Sequence, residues 1–171
     1  MSFDAHNESI MELLNRKIYL VPRNQRQYVW NENNWLEMFD DVRLVVEEKT
    51  QSHFIGSIVL KKNPTIDGLP QFLLIDGQQR TITIVIYLSC IMFWMRKYGM
   101  NDECDGMMSY LIAKNDKADN IVMVTSENHG SLENIIKAIT DLDENTAKQK
   151  TVNSLVDTNL LNRADKNIGN G

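Results

Sequence analysis

The most informative stretch of this chain is FLLIDGQQRTITIVIY, from Phe72 to Tyr87. It opens with Phe72 to Ile75, a short apolar run that is typical of a buried strand. Asp76 and Gly77 interrupt this run, and the mainly apolar residues from Gln78 to about Lys97 are numerous enough for a largely buried helix. The stretch therefore predicts a strand, a polar turn and a helix.

The polar residues of this turn lie at the predicted helix N-terminus. Backbone N–H groups without helical partners and the positive end of the helix dipole make such a position receptive to phosphate. Arg80 adds a planar cation that suits a two-point phosphate contact. Helix capping is the alternative, because Asp76 is a good N-cap residue and Gln79 stands three residues later, as in a capping box. Capping does not account for Gly77, Gln78 and Arg80 together.

Two upstream blocks extend the pattern: VPRNQRQYVW, from Val21 to Trp30, and HFIGSIVL, from His53 to Leu60. With LLIDGQQRT, from Leu73 to Thr81, they resemble the N-terminal domain family of GmrSD-type restriction proteins. The DGQQR block with QR and YVW upstream is a specific signal, whereas either block alone is weak. Asn24 stands where the family commonly has an aromatic residue.

The resemblance implies an α/β (α+β) fold similar to that of ParB and sulfiredoxin. We expect a small mixed sheet with flanking helices and a helical C-terminal part, and the turn residues at 63–70 predict a β-hairpin that feeds the DGQQR turn. Many members of the family are bacterial or archaeal proteins of modification-dependent (type IV) restriction or other phage defence. The domain is associated with binding and hydrolysis of an NTP, often GTP, with Mg²⁺. Cutting of DNA usually lies in a separate HNH-type nuclease domain or subunit, and modified DNA is a further implied partner.

Two functions from different classes fit this resemblance. In the first, the domain hydrolyses an NTP, and its catalytic residues are Asp76, Gln78, Gln79 and Arg80. In the second, the same pocket senses a nucleotide or a modified DNA phosphate and signals to a partner nuclease without turnover. Phosphate-binding residues are shared by both readings, and they are Gln25, Arg26, Gly77 and Arg80. A third reading is a fragment that is inert without its nuclease domain.

Composition limits these readings. A chain of 171 residues is expected to form one domain, and its net charge of −5 argues against broad attraction to DNA phosphate. Two cysteines make no disulfide scaffold, so a cytoplasmic location is the default expectation. The sequence has no GxxxxGK[ST] loop and no HNH signature, and its three histidines show no metal-ligand spacing. No metal-binding residues and no membrane segment are predicted.

Periodicity and turn residues predict the remaining elements. Residues 1–100 are expected to form the DGQQR core, 101–166 a mainly helical extension of the same domain, and 167–171 a flexible end. Helices are predicted at 9–15, from Asn33 or Asn34 to about Glu48, and at 102–112, 131–142 and 147–164. The second of these is expected to turn Trp35, Met38, Phe39, Val42 and Val45 or Val46 inward. Strands are predicted at 17–21, 54–61 and 120–125, with a turn over 63–70.

A few other residues admit a functional interpretation. Tyr28 and Trp30 share a face of an extended segment, and packing against the following helix is favoured over stacking on a base. His53 is expected to start a strand with a satisfied hydrogen bond, in preference to acting on phosphate. Gly56 with Ser57 is expected to permit a bulge or a close backbone approach. Cys90 is expected to be a small buried apolar residue.

Overall fold

The computed structural model describes residues 4–22, 25, 28–48 and 52–126. The predicted α/β class with a small mixed sheet is confirmed, while the likeness to ParB and sulfiredoxin stays a prediction. The helices predicted at 131–142 and 147–164 and the end at 167–171 lie outside the described residues. In chain order the elements are α1 (Ile10–Leu13), β1 (Ile18–Val21), α2 (Glu32–Glu48), β2 (Val59–Ile66), β3 (Leu69–Asp76), α3 (Gln78–Lys97), α4 (Asn101–Met108), β4 (Ile112–Lys114), β5 (Asn120–Val122) and β6 (Val124–Ser126).

The main sheet has four strands in the order β2-β3-β1-β6. Strand β1 pairs in parallel with both β3 and β6, whereas β2 is antiparallel to β3. The carboxyl ends of β1, β3 and β6, at Val21, Asp76 and Ser126, therefore lie at one edge of the sheet. In open α/β sheets this edge is the usual place for a ligand.

Helix α3 supplies much of the core. Its residues Ile82, Val85 and Met92 are buried in one cluster with Tyr19 of β1 and Leu74 of β3. Complete burial of such side chains contributes about 1.5–3 kcal/mol each, so the helix after the DGQQR turn is firmly held. No helix in the described part of the chain has the length and hydrophobicity to cross a membrane.

The β-hairpin that feeds the DGQQR turn is confirmed, but its turn is shorter than predicted. The strands continue to Ile66 and from Leu69, so the turn is Asp67-Gly68 alone. Both residues have positive φ, 46° and 80°, as the common two-residue hairpin turn requires. Pro64 is tolerated because β2 is an edge strand.

The predicted strand 54–61 is wrong in its first half. Strand β2 begins at Val59, and Phe54 is 77% exposed. Gly56 has a φ of 104°, which is incompatible with a regular strand. The glycine thus breaks the strand and leaves residues 52–58 as a loop before β2.

Helix α2 begins earlier than predicted, and its inward face differs. Asn31, rather than Asn33 or Asn34, caps it, because the Oδ1 atom of Asn31 accepts from the N–H groups of both later asparagines at 3.1 and 3.5 Å. Met38 is buried and Trp35 and Val45 are half-buried, as predicted. Two predicted inward residues, Phe39 and Val42, are instead exposed.

The end of the described chain contains more strand than the sequence indicated. Helix α4 ends at Met108, and Ile112 begins the unpredicted strand β4, which pairs with β5. The strand predicted at 120–125 is two strands, β5 and β6, separated by Met123. Strand β6 lies beyond residue 100 and yet pairs with β1 in the main sheet.

Both cysteines in the described residues are free thiols. Cys104 is buried, but Cys90 is exposed on α3, so the prediction of a buried Cys90 is wrong. Helix α3 is buried on all sides only near its N-terminus, and its C-terminal half, which contains Cys90, presents one face to solvent.

Candidate phosphate site at the DGQQR turn

The DGQQR turn lies at the carboxyl edge of the parallel strands, between β3 and α3. Gly77 adopts left-handed φ and ψ of 84° and 10° and is the N-cap residue of α3. This conformation costs a glycine little and an L-residue about 1–2 kcal/mol. The glycine therefore reverses the chain within one residue and brings the start of α3 to the sheet edge.

The capping interpretation of Asp76 and Gln79 is wrong in its details. The N-cap of α3 is Gly77, which offers no side chain, and Asp76 instead accepts from the Gly77 N–H through Oδ1 at 2.8 Å. Because the helix begins one residue later than a capping box would need, Gln79 does not reach back to the cap. The Asp76 side chain is exposed beside the turn.

The Gln79 side chain is buried, with 4% of the residue exposed. Its Oε1 atom accepts hydrogen bonds from the backbone N–H groups of Val29, at 2.8 Å, and Trp30, at 3.3 Å. Gln79 therefore fastens the YVW segment of the first block to the first turn of α3. Gln78 is also buried, with 5% exposed.

Tyr28 supports the same junction between the first block and α3. Its hydroxyl lies 2.6 Å from the Thr83 hydroxyl and accepts from the Trp35 indole N–H at 2.7 Å. Thr83 donates its proton to the Gln79 carbonyl oxygen at 2.8 Å, so Tyr28 is the donor to Thr83. Burial raises the pKa of Tyr28, which keeps the phenol protonated. The predicted packing of Tyr28 against its neighbouring helices is confirmed.

Arg80 is held by the second block. Its Nη1 atom donates to the Ser57 carbonyl oxygen at 2.9 Å, and its guanidinium lies against Gly56. The close backbone approach that was expected at Gly56 is therefore made by Arg80. Within the described ranges, no carboxylate forms an ion pair with Arg80.

A cleft of about 210 Å³ lies beside Arg80, between the start of α3 and helix α2. The cleft combines an aromatic surface, an amide, two carboxylates and the Arg80 cation. The α2 residues in it, Asn34, Glu37 and Asp41, follow the i, i+3, i+7 spacing of one helix face. This spacing could have predicted from the sequence that these three polar side chains share one face of α2. The lining residues are Trp30, Asn34, Glu37, Met38, Asp41, Ile55 and Arg80.

The first block also reaches the turn directly. The Gln25 side chain donates through Nε2 to the Ile75 carbonyl oxygen at 3.1 Å, immediately before Asp76. Gln25, Asp76, Gly77 and Arg80 are thus brought to one edge of the sheet. Arg26 lies outside the described residues.

His53 lies near the cleft without starting a strand. Its Nε2 atom is 3.3 Å from Oδ1 of Asp41, one of the cleft carboxylates. Across the described ranges, no three histidine, cysteine, aspartate or glutamate residues are grouped to hold a metal ion.

The chain matches the model of the GmrSD restriction endonuclease N-terminal domain over residues 10–170. It belongs to this family. The match spans nearly all of the chain, so the GmrSD domain includes the sheet, the DGQQR turn and the residues beyond β6. No curated protein matches the chain. The GmrSD assignment makes this an N-terminal domain of a restriction system.

Proposed function

We propose that this GmrSD domain binds a nucleoside triphosphate at the DGQQR turn, with Arg80 on the phosphates. The proposal rests on the position and the hydrogen bonding of the Arg80 guanidinium. Its guanidinium stands at the start of a helix, donates to one backbone carbonyl and has no carboxylate partner among the described residues. Arginine offers five N–H donors, so donors remain for phosphate oxygens, which the helix dipole also favours.

The neighbouring cleft offers contacts for the remainder of a nucleotide. Trp30 presents an aromatic surface of the kind on which a base or sugar stacks, and Asn34 and Glu37 add polar groups. Pockets that enclose a whole ligand usually measure about 300–1,000 Å³. The cleft, at about 210 Å³, is smaller, so we infer that it holds one part of the nucleotide while the rest extends into solvent.

Magnesium, which usually accompanies a triphosphate, is compatible with the residues at the turn. Mg²⁺ in nucleotide sites keeps several waters and takes one or two carboxylates besides the phosphates. Asp76 supplies one exposed carboxylate, of which Oδ1 is already held by the Gly77 N–H. Bound Mg²⁺ would neutralise phosphate charge, and Asp76 would hold it through water.

Hydrolysis is the second part of the proposal. Arg80 would stabilise the negative charge that develops on the phosphoryl oxygens. The carbonyl oxygen of the Gln79 amide is occupied by two backbone N–H groups, so this atom orients the first block rather than an attacking water. Gln78 is proposed to orient a phosphate or a water.

The occupied Gln79 amide favours a second candidate function. In this alternative the domain is a binding module that senses a nucleotide or a modified DNA phosphate and signals to an HNH-type nuclease partner. Its contacts at Gln25, Arg26, Gly77 and Arg80 are the same, but no phosphate is released.

Two measurements on the purified chain separate these functions. Equilibrium binding of ATP, GTP, CTP and UTP with Mg²⁺ tests the site, and release of inorganic phosphate from each tests turnover. We expect one or more triphosphates to bind and the bound one to be hydrolysed. Binding without release would support the sensor function, and absence of binding for all four would reject the nucleotide site.

A further inference from the structure

We propose that Gly56 is a positioning residue for Arg80, because only the absence of a side chain at Gly56 lets the guanidinium reach the phosphate site. This inference rests on the proposed phosphate-binding function of Arg80. Gly56 belongs to the HFIGSIVL block, and 24 positions along the chain separate it from Arg80. It would act through Arg80, without touching the nucleotide.

The space at Gly56 is filled by Arg80 itself. A Cβ atom built on Gly56 would lie 2.6 Å from both Cζ and Nη2 of Arg80 and 2.9 Å from Nη1. Side chains do not approach a Cβ this closely, so any other residue at this position would move the guanidinium. The three similar distances also show that the face of the guanidinium, rather than one edge, lies over Gly56.

The backbone at this position favours glycine independently. Gly56 has a φ of 104°, in the region that L-residues rarely adopt. The next residue, Ser57, uses its carbonyl oxygen to accept from Arg80 Nη1 at 2.9 Å. Gly56 therefore contacts the face of the Arg80 guanidinium, and the Ser57 carbonyl oxygen holds its Nη1 edge by a hydrogen bond.

The same loop touches the turn at its other glycine. A Cβ atom on Gly77 would lie 3.0 Å from Cγ1 of Ile58 and 3.2 Å from the Ser57 carbonyl oxygen. The loop over residues 56–58 thus contacts both Gly77 and Arg80, the backbone and the cation of the proposed phosphate site. Through these contacts at Gly56 and Gly77, the HFIGSIVL block positions the DGQQR turn.

Gly99 provides a matched control for the backbone effect. It also has positive φ, 77°, but a Cβ atom there would meet nothing within 4 Å. Alanine at Gly99 therefore introduces left-handed strain without displacing any side chain. Comparison of the two alanine variants isolates the contact with Arg80.

The experiment compares nucleotide binding by the full chain and its variants Gly56→Ala, Gly99→Ala, Arg80→Ala and Gly56→Ala/Arg80→Ala. The probe is whichever of ATP, GTP, CTP and UTP binds the unsubstituted chain. We expect Gly56→Ala and Arg80→Ala each to weaken binding about tenfold to a hundredfold, as for loss of a charge-assisted contact. The double variant should bind no more weakly than Arg80→Ala, and Gly99→Ala should bind normally.

A second readout is the unfolding midpoint in urea. The guanidinium is the far end of a flexible side chain and can move away at little cost, so a lower midpoint of Gly56→Ala should come from the backbone at a φ of 104° and should persist when Arg80→Ala is added. Should Gly56→Ala fail to fold, Gly56→Ala/Arg80→Lys replaces it, because lysine has no planar group over residue 56. The Gly56→Ala/Arg80→Lys variant should bind the triphosphate with the same affinity as Arg80→Lys alone.

The outcomes separate this inference from the proposed function. If the unsubstituted chain binds none of the four triphosphates, the proposed function fails and the inference fails with it. Normal binding by Gly56→Ala, or weaker binding by the lysine pair than by Arg80→Lys alone, would overturn the inference and leave the nucleotide site standing.

Discussion

The Oε1 atom of Gln79 accepts the backbone N–H of Val29 at 2.8 Å, across fifty residues of chain. This hydrogen bond joins the first turn of α3 to the YVW segment, which the sequence showed only as two separate blocks. A buried glutamine in the DGQQR turn is therefore part of the framework of the site. Its neighbour Arg80 forms no ion pair with any carboxylate in the described part of the chain.

Gln79→Ala should lower the free energy of unfolding by about 1–3 kcal/mol, because it removes the acceptor of two partly buried backbone hydrogen bonds. Urea denaturation followed by tryptophan fluorescence measures this change. Asn33→Ala, an exposed amide on α2, is the control and should change stability little. If Gln79→Ala kept full stability and abolished phosphate release, the catalytic role first predicted for Gln79 would be favoured instead.

The elements on either side of the DGQQR turn were predictable because their signals are local. Phe72 to Ile75 lies within β3, and α3 runs from Gln78 to Lys97, as the apolar run indicated. Gly99, with a φ of 77°, stands just past the end of that helix, where glycine is common. Strong periodicity and turn residues fixed these elements without tertiary information.

The arrangement around the turn was less predictable because it depends on contacts between distant residues. Aspartate is a favoured N-cap residue, yet the left-handed Gly77, and not Asp76, is the N-cap of α3. Phe39 and Val42 fit an inward helix face by spacing, yet they are 54% and 43% exposed. The contact of the Arg80 guanidinium with Gly56 and its hydrogen bond to Ser57 depend on tertiary packing. The sequence indicated only that a close approach to Gly56 was possible.

Stability should fall at alkaline pH through two tyrosines. Burial raises the pKa of Tyr87 from 10.0 to about 12, and burial also raises that of Tyr19. Since the folded pKa lies above the unfolded one, the stabilisation is complete below pH 10 and is lost as pH rises toward 12. Tyr87→Phe should flatten this decline in urea unfolding between pH 9 and 12.

The carboxylate of Asp76 should have separable roles in folding and in magnesium binding. Asp76→Ala removes the acceptor for the Gly77 N–H and should cost about 0.5–1.5 kcal/mol. Asp76→Asn keeps an oxygen that can accept and should retain most of that stability, while it weakens the magnesium dependence of triphosphate binding. Equal magnesium dependence in Asp76→Asn and the unsubstituted chain would remove Asp76 from the metal proposal.

This chain alone should not cut DNA, because HNH-type cleavage needs a fixed cluster of metal ligands. The test incubates the purified chain with plain and glucosylated hydroxymethylcytosine DNA, with Mg²⁺ or Mn²⁺ and each NTP. We expect no nicking without a nuclease partner. Nicking that is lost on substitution of a residue of this chain would contradict the assignment.

Calorimetric titration of the four nucleoside triphosphates into the unsubstituted chain, Arg80→Ala and Arg43→Ala measures how much Arg80 contributes to phosphate binding. Arg43 is the control, since its guanidinium lies on the exposed side of α2 in surface ion pairs with Asp40 and Glu47. We predict that Arg80→Ala weakens binding of the preferred triphosphate by about 1.5–3 kcal/mol, with a nearly unchanged melting temperature, and that Arg43→Ala binds normally. Equal affinity of the unsubstituted chain and a folded Arg80→Ala would contradict the claim that Arg80 holds the phosphates.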